Sequence, residues 1–213
     1  MKIAGHEIGN GNPPFLIAEA SINHNGSIDR AMEMITVARD AGCQIIKFQT
    51  FKATDVCDPK QMYTYKSQGE EVTEPRINIF LRTELPESAW PILKAECDRV
   101  GIIFLSTPET PNDLDILLRV GIPAIKIGGD NLTNLPMLRY CGKEDIGLPI
   151  LLSCGMCVDG EIRRALNAIG RHTPVALMVC TSEYPCPSEH ANLKRITNFI
   201  GSTDAVGFSD HTQ

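Results

Sequence analysis

Residues 15–50, FLIAEASINHNGSIDRAMEMITVARDAGCQIIKFQT, contain one complete strand, loop, helix and strand unit. Its two ends, residues 15–19 and 44–49, are short apolar runs of the kind found in buried parallel strands. Between them, Ser27 stands at an N-cap position, apolar side chains recur at helical spacing, and Gly42 marks the end of the helix. This order predicts two parallel strands joined by a crossover helix.

The rest of the chain repeats the same unit. Two more amphipathic stretches, at about residues 86–100 and 159–169, each end before a glycine and are predicted to be helices. Five more apolar runs of strand length follow the first two: residues 102–106, 124–127, 149–153, 175–180 and 205–209. The alternation predicts an α/β fold with a buried parallel sheet, either doubly wound or a TIM (β/α)8-type barrel. Polar residues end nearly every strand, which favours the barrel, because a doubly wound sheet concentrates its site at one switch point.

The predicted organisation is an N-terminal hairpin over residues 1–14 and a TIM-barrel catalytic domain over residues 15–213. Only seven strands are counted, so the barrel is expected to be incomplete at its C-terminus, truncated before an eighth strand. The longest connection, residues 51–85, is charged and rich in turn residues, with Tyr63 and Tyr65 near its middle. A long loop at this position is a candidate lid.

Composition excludes several classes of protein. The chain has 213 residues, is 43% hydrophobic and carries a net charge of -6, which suits one compact enzyme and disfavours a nucleic-acid partner. Its apolar runs are far shorter than the roughly 20 residues of a membrane span, and residues 1–10 lack the apolar core of a signal peptide. We therefore expect a cytoplasmic protein without a membrane partner. Most of the eight cysteines lie in apolar or helical segments, and the Cys154-x-x-Cys157 pair is interpreted as structural because it cannot supply four zinc ligands.

The loop after the first strand concentrates hydrogen-bonding side chains. Glu19 ends the strand, and two amides and one imidazole, those of Asn23, Asn25 and His24, follow within the loop. Together these side chains predict recognition of a polyol, with Glu19 as a functional carboxylate. The alternative, a turn followed by a helix cap, explains residues 25–27 but not a carboxylate at the end of an apolar strand.

Two lysines, Lys47 and Lys126, end apolar strands. A buried ammonium is costly without an anionic partner, so two of them at one barrel mouth predict a bound anion. The hydroxyls of Ser106, Thr107 and Ser153 would be neutral donors to a phosphate or a phosphate and carboxylate ligand. The alternative is that both lysines extend toward solvent and pair with acidic neighbours.

Two histidines follow the sixth and seventh strands, and each stands beside a carboxylate. His190 follows Glu189, and His211 follows Asp210. Imidazoles on adjacent barrel loops can meet at one metal ion, although a histidine is more often an ordinary polar residue. Spacing alone leaves these two interpretations open.

Seven motifs in order resemble the sialic acid synthase family, which comprises N-acetylneuraminate synthase and its legionaminate and pseudaminate relatives. The motifs are IAEASINHNGS, KFQT, FLSTP, KIGGDNLTNLP, LLSCGM, CTSEYPCP and GFSDHT. The resemblance implies a TIM barrel that condenses phosphoenolpyruvate with an N-acetylated amino-sugar aldehyde, giving a nonulosonic acid and phosphate. It also implies a divalent metal, Mn²⁺ in preference to Mg²⁺ or Co²⁺, and allows a homodimer.

The resemblance also implies roles for individual residues. His190 and His211 correspond to the metal ligands, and Glu19, Lys47 and Lys126 to catalytic residues. Further substrate contacts are implied for Asn23, Gln49, Thr107, Ser153, Ser182, Tyr184, Ser188 and Asp210.

Two departures from the family pattern, and one missing region, bear on these expectations. Family members commonly have serine at Gly129 and threonine at Cys154, and they continue into an eighth strand and a small antifreeze-like domain that is not in this sequence. Two alternatives therefore stay open. One is another phosphoenolpyruvate-dependent aldol synthase, such as a 3-deoxy-octulosonate phosphate synthase, and the other is a truncated, non-catalytic ligand-binding remnant.

Overall fold

The computed structural model describes residues 1–9, 11–67 and 69–212. The chain divides into two compact units: residues 17–120, called here the first unit, and residues 1–16 with 121–213, called the second unit. In chain order the elements are β1 (Lys2–Ile3), β2 (His6–Glu7), β3 (Ile17–Ser21), α1 (Ile28–Asp40), β4 (Ile45–Thr50), α2 (Ala53–Val56), β5 (Met62–Ser67), β6 (Glu70–Pro75), α3 (Arg76–Thr83), α4 (Ala89–Val100), β7 (Ile103–Pro108), α5 (Pro111–Val120), β8 (Ile125–Ile127), α6 (Leu135–Cys141), β9 (Ile150–Ser153), α7 (Asp159–Ile169), β10 (Val175–Cys180), the 3-10 helices Ser188–His190 and Leu193–Phe199, and β11 (Ala205–Ser209).

The first unit is built on a parallel sheet of order β3-β4-β7. Its core contains Phe48 and Phe104, whose stacked rings lie 6.0 Å apart. The sheet is covered by α1 and α4, as predicted from their apolar spacing. Helix α1 begins after Ser27, whose hydroxyl accepts a hydrogen bond from Arg30 N. Helix α4 begins at Ala89, three residues later than predicted, because the preceding residues form a turn closed by Ala89 N and Pro86 O.

The long connection over residues 51–85 contains regular structure of its own. Strands β5 and β6 form an antiparallel hairpin, followed by α3. Tyr65 and Arg82 both bond the carboxylate of Glu74, and these hydrogen bonds lower the pKa of Glu74 to about 2. The predicted role of this connection as a lid stays a prediction, and Gln68 within it lies outside the described residues.

The second unit is built on a parallel sheet of order β11-β10-β9-β8. Every residue of β8 and β9 is buried, which explains why both strands are apolar apart from Lys126 and Ser153. Helices α6 and α7 pack against each other, and α7 has the predicted limits. Strands β1 and β2 pair as an antiparallel hairpin within the segment predicted to form one, although Asn10 lies outside the described residues.

The two sheets together contain the seven parallel strands predicted from the sequence. Their observed limits differ from the predicted ones by no more than two residues at either end. The parallel register aligns the carboxyl ends of neighbouring strands within each sheet, so the polar residues there lie side by side. None of the helices in the described ranges is long and apolar enough to cross a membrane.

Candidate active site

The first unit contains a polar cluster at the ends of β3, β4 and β7. Glu19 lies opposite Lys47 in the sheet register, and the two side chains form an ion pair. Lys47 Nζ also donates to Thr107 Oγ1, 3.3 Å away on the next strand. Lys47 is buried, whereas half of the Glu19 side chain is exposed. Lys47 therefore pairs with an acidic neighbour, as one part of the alternative interpretation held, but it is buried and does not extend toward solvent, which that interpretation also required.

A bulge at the end of β3 orients Glu19. The strand register shifts between Glu19 and Ser21, and Ser21 adopts a left-handed backbone conformation with φ of 49°. In this conformation Ser21 N donates to Glu19 Oε1 at 3.0 Å, and Ser21 Oγ donates to Gln49 Oε1 at 3.2 Å. Bulges beside functional sites commonly redirect a side chain. Here the bulge holds Glu19 and Gln49 at the same sheet edge.

The loop after β3 corrects one expectation. Asn23 is exposed, but His24 is buried, and its Nδ1 accepts a hydrogen bond from Gly26 N at 3.1 Å. Burial lowers the pKa of His24, and its Nε2 is a buried nitrogen without a hydrogen-bond partner among the described residues. The expectation that this imidazole recognises a polyol together with Asn23 is therefore wrong, because the ring packs 6.1 Å from that of Phe48 in the core.

The second unit contains a matching cluster at the ends of β8 and β9. Lys126 Nζ donates to Ser153 Oγ at 2.6 Å and to Ile127 O at 2.9 Å. Lys126 and Ser153 are both buried. Ser106, also predicted as a donor to an anion, instead shares a 2.7 Å hydrogen bond with Thr50 inside the first unit.

His211 lies just after β11, and both of its ring nitrogens are hydrogen-bonded. Nδ1 lies 2.6 Å from Thr181 O, and Nε2 lies 2.8 Å from the hydroxyl of Tyr184. Because a carbonyl oxygen can only accept, the proton of the neutral ring resides on Nδ1, and Nε2 accepts from Tyr184. The two rings also stack, with centroids 4.0 Å apart.

His190 ends a short 3-10 helix and is exposed. Its Nδ1 lies 2.9 Å from Glu183 Oε2, and this carboxylate raises the pKa of His190, first through the hydrogen bond and then through its charge. The sequence pointed to Glu189 as the neighbouring carboxylate, but the partner observed is Glu183. Thr181 Oγ1 donates to His190 O at 2.9 Å, so Thr181 bonds both histidine segments.

The remaining predicted contacts of the second unit lie in the same loops. Ser188 begins the 3-10 helix of His190, and the Asp210 carboxylate accepts from Thr212 N at 2.9 Å, which lowers the pKa of Asp210. Ser182 Oγ packs so closely on Gly155 that a Cβ there would lie 2.3 Å from it. Over residues 1–9, 11–67 and 69–212, no three His, Cys, Asp or Glu side chains form a group that could hold a metal ion.

Three residues of these clusters were not among the predicted site residues. Ser21 and Thr181 connect other polar side chains, and Glu183 orients His190. Glu183 lies inside the CTSEYPCP motif, so a carboxylate within reach of His190 was the available signal. No sequence signal marked Ser21, because its role depends on a bulge that the local sequence does not encode.

The chain is similar in sequence to proteins of one known family. The sequence profile of the NeuB family matches residues 34–213. A Methanocaldococcus jannaschii protein without an assigned function is 35% identical over the whole chain and 59% of its own length. The N,N'-diacetyllegionaminic acid synthase of Campylobacter jejuni is 34% identical over 93% of the chain and 60% of its own length.

Solved structures resemble the chain over nearly its whole length. The N-acetylneuraminic acid synthetase of Leptospira borgpetersenii, crystallised with citrate, has a TM-score of 0.86 and 28% identity, covering 100% of this chain and 70% of its own. A truncated 3-deoxy-D-arabino-heptulosonate 7-phosphate synthase of Thermotoga maritima has a TM-score of 0.65 at 15% identity, covering 98% of this chain and 67% of its own, which shows the fold alone. The predicted fold class, α/β of the TIM-barrel type, is confirmed. The chain spans 57–60% of the length of the first three curated relatives.

Proposed function

We propose, from the premise that the chain belongs to the NeuB family, that it provides the catalytic barrel of a nonulosonic acid synthase. The reaction would condense phosphoenolpyruvate with an N-acetylated amino-sugar aldehyde of the N-acetylmannosamine type. In atom balance, the electrons of the C2–C3 double bond form a bond to the aldehyde carbon, and the aldehyde oxygen takes up a proton. Water then adds at C2 and loses one proton. The hydroxyl formed on C2 loses its own proton as the C2–O bond to phosphate breaks, so that C2 becomes a ketone and the leaving phosphate takes up a proton.

One observation carries this proposal: each unit holds a buried lysine within a parallel strand, and this lysine donates to a hydroxyl of the neighbouring strand. The pairs are Lys47 with Thr107 and Lys126 with Ser153. A buried ammonium is stabilised by an anion, and hydroxyls supply further donors to its oxygens. Phosphoenolpyruvate carries two anionic groups, a phosphate and a carboxylate, and the chemistry of each pair suits one such group.

Glu19 would exchange partners when the substrate binds. Its carboxylate pairs with Lys47 in this structure, and an incoming anion would compete for the same ammonium. Once released, a half-exposed carboxylate held by Ser21 N at the sheet edge could take a proton from the attacking water or supply one. Contacts to the two substrates are proposed for the remaining predicted residues: Asn23, Gln49, Ser182, Tyr184, Ser188 and Asp210.

The two histidines fit a divalent metal, for which we propose Mn²⁺. In each ring Nδ1 is held by an oxygen acceptor, Glu183 for His190 and Thr181 O for His211, which is the arrangement that orients Nε2 as a metal ligand. With only two imidazoles from this cluster, the other ligands would be water and substrate oxygens. A bound metal would act as a Lewis acid on the sugar aldehyde.

The test is to incubate the chain with Mn²⁺, phosphoenolpyruvate and N-acetylmannosamine, and to measure nonulosonic acid by mass spectrometry together with released phosphate. The proposal predicts equimolar products, and loss of both after treatment with EDTA. Lys94→Met is the matched control for replacing Lys47 or Lys126 by methionine, since Lys94 is paired with Asp98 on the surface of α4.

Other outcomes discriminate the alternatives. Turnover with arabinose 5-phosphate in place of the amino sugar would favour a 3-deoxy-octulosonate phosphate synthase. Saturable binding of phosphoenolpyruvate without any turnover, while a full-length relative is active under the same conditions, would favour a non-catalytic remnant.

A further inference from the structure

Arg195 connects two segments of the second unit, each of which follows a proposed site residue closely in the chain. It lies in the 3-10 helix Leu193–Phe199, in the segment after His190. Its guanidinium donates from Nη1 to Cys154 O at 3.0 Å and from Nη2 to Cys157 O at 3.3 Å, reaching 41 and 38 residues back along the chain. Both acceptors belong to the loop that follows Ser153 at the end of β9.

The loop over residues 154–157 needs such support. It leaves β9 directly after Ser153, and Met156 within it adopts a left-handed backbone with φ of 50° and is 79% exposed. Only its first residue continues the sheet, through the hydrogen bond from Cys154 N to Met178 O. Gly155 then packs against Cys180 Sγ and Ser182 Oγ, where a Cβ would come within 2.8 and 2.3 Å.

The geometry of Arg195 suits positioning better than charge pairing. Its hydrogen bonds at 3.0 and 3.3 Å both go to backbone carbonyls. The guanidinium also lies 5.5 Å from the ring centre of the buried Phe199. A planar guanidinium presents two donors at a fixed spacing, whereas a lysine ammonium at the same place would reach one carbonyl at a time. Arg195 therefore fixes the distance between the two carbonyls as well as their direction.

We propose that Arg195 is a positioning residue for phosphoenolpyruvate binding, an inference that rests on the proposed function. By holding the carbonyls of Cys154 and Cys157, it fixes the backbone directly after Ser153, whose hydroxyl accepts from Lys126 and would contact the anion. Because Arg195 belongs to the segment after His190, the same side chain also ties the anion loop to the histidine loop.

The experiment compares wild type, Arg195→Lys and Arg195→Gln, with Arg164→Gln as the control because Arg164 is an exposed arginine of the same unit. Phosphoenolpyruvate affinity is measured by calorimetry, and KM and kcat are measured by product formation. The proposal predicts that Arg195→Gln raises both Kd and KM about tenfold with kcat within about threefold, since only part of the free energy of the two lost charge-assisted hydrogen bonds is transmitted through the loop to the bound anion. The Kd and KM of Arg195→Lys should lie between those of wild type and Arg195→Gln, because the lysine keeps one of the two hydrogen bonds.

The outcomes that overturn the proposal are distinct. A merely structural role would lower the melting temperature and the active fraction, so kcat would fall while Kd and KM stayed at the wild-type values. If wild type binds phosphoenolpyruvate and Arg195→Gln binds it equally well, the positioning role is wrong and the proposed function stands. If wild type does not bind phosphoenolpyruvate at all, both are wrong.

Discussion

The two buried lysines lie within parallel strands of different units and have different surroundings. In the first unit, Lys47 forms an ion pair with Glu19 and donates to Thr107. In the second unit, Lys126 donates to the neutral oxygens of Ser153 and Ile127. An anion binding at Lys47 must displace the carboxylate of Glu19, whereas Lys126 donates to the neutral oxygens of Ser153 and Ile127. We therefore expect the two lysines to bind an anion with unequal affinity.

The largest effect is expected from removing the lysines. We predict that Lys126→Met weakens phosphoenolpyruvate binding about 100-fold and Lys47→Met about tenfold. Hydrogen bonds to charged groups contribute about 1.5–3 kcal/mol, and the net binding free energy at Lys47 is smaller because the anion must first displace Glu19. Calorimetric titration measures both values, with Lys94→Met as the control. Equal losses for the two variants would show that the Glu19 ion pair does not reduce anion affinity.

Glu19→Gln should act in the opposite direction on binding. Without the Glu19 carboxylate, the anion no longer competes for the ammonium of Lys47, so phosphoenolpyruvate affinity is expected to rise up to about tenfold. Turnover should fall because the acid-base group is lost. Calorimetry and product formation on the same preparation separate the two effects. Weaker binding by this variant would contradict the competition between Glu19 and the anion.

In the second unit, the hydroxyl of Tyr184 is hydrogen-bonded to Nε2 of His211, the nitrogen that we propose as a metal ligand. Tyr184→Phe removes that hydrogen bond and should tighten Mn²⁺ binding by about two- to tenfold, since a net hydrogen bond contributes about 0.5–1.5 kcal/mol. Competition with a chromogenic chelator measures the affinity without any turnover. Tyr63→Phe, in the hairpin of the first unit, is the control. A weaker metal affinity would instead mean that Tyr184 helps to hold the metal.

The smallest effect is expected at Gly129, a position at which the resemblance to the family implies a serine. A Cβ there would meet Gly155 N at 3.4 Å, an ordinary contact, so Gly129→Ser should leave stability within about 0.5 kcal/mol of wild type. The added hydroxyl is expected to tighten phosphoenolpyruvate binding by about two- to fivefold. Gly155→Ser is the contrasting variant, because its Cβ would clash with Ser182 and lower the melting temperature. Unchanged affinity in Gly129→Ser would place the anion elsewhere.

Much of the fold could be predicted from the sequence because its signals are local. Apolar runs of strand length, the Ser27 cap and the glycines after helices depend on neighbouring residues only, and all seven parallel strands were found from them. The start of α4 was misplaced, since a turn and a first helical turn have similar local patterns. The strand-end lysines were also visible, because an ammonium in an apolar run is conspicuous.

The side-chain partners could not be predicted in the same way. His24 reads as one more polar loop residue, yet the path of the loop carries it into the core beside Phe48. Glu189 adjoins His190 in sequence, but the folded loop brings Glu183 to the ring instead. Arg195 has no local pattern that marks it, because both of its carbonyl partners are about 40 residues away.

The sequence by itself determined the order of strands and helices, the family and the residue types at each strand end. The tertiary structure alone decided which of those residues are paired: Lys47 with Glu19 through the sheet register, and His211 with Tyr184 through the fold of its loops. The physical reason is the separation along the chain of the residues that interact. Periodicity and capping act over a few residues and are written locally, whereas ion pairs and hydrogen bonds between loops depend on register and backbone path, which are set only when the whole unit packs.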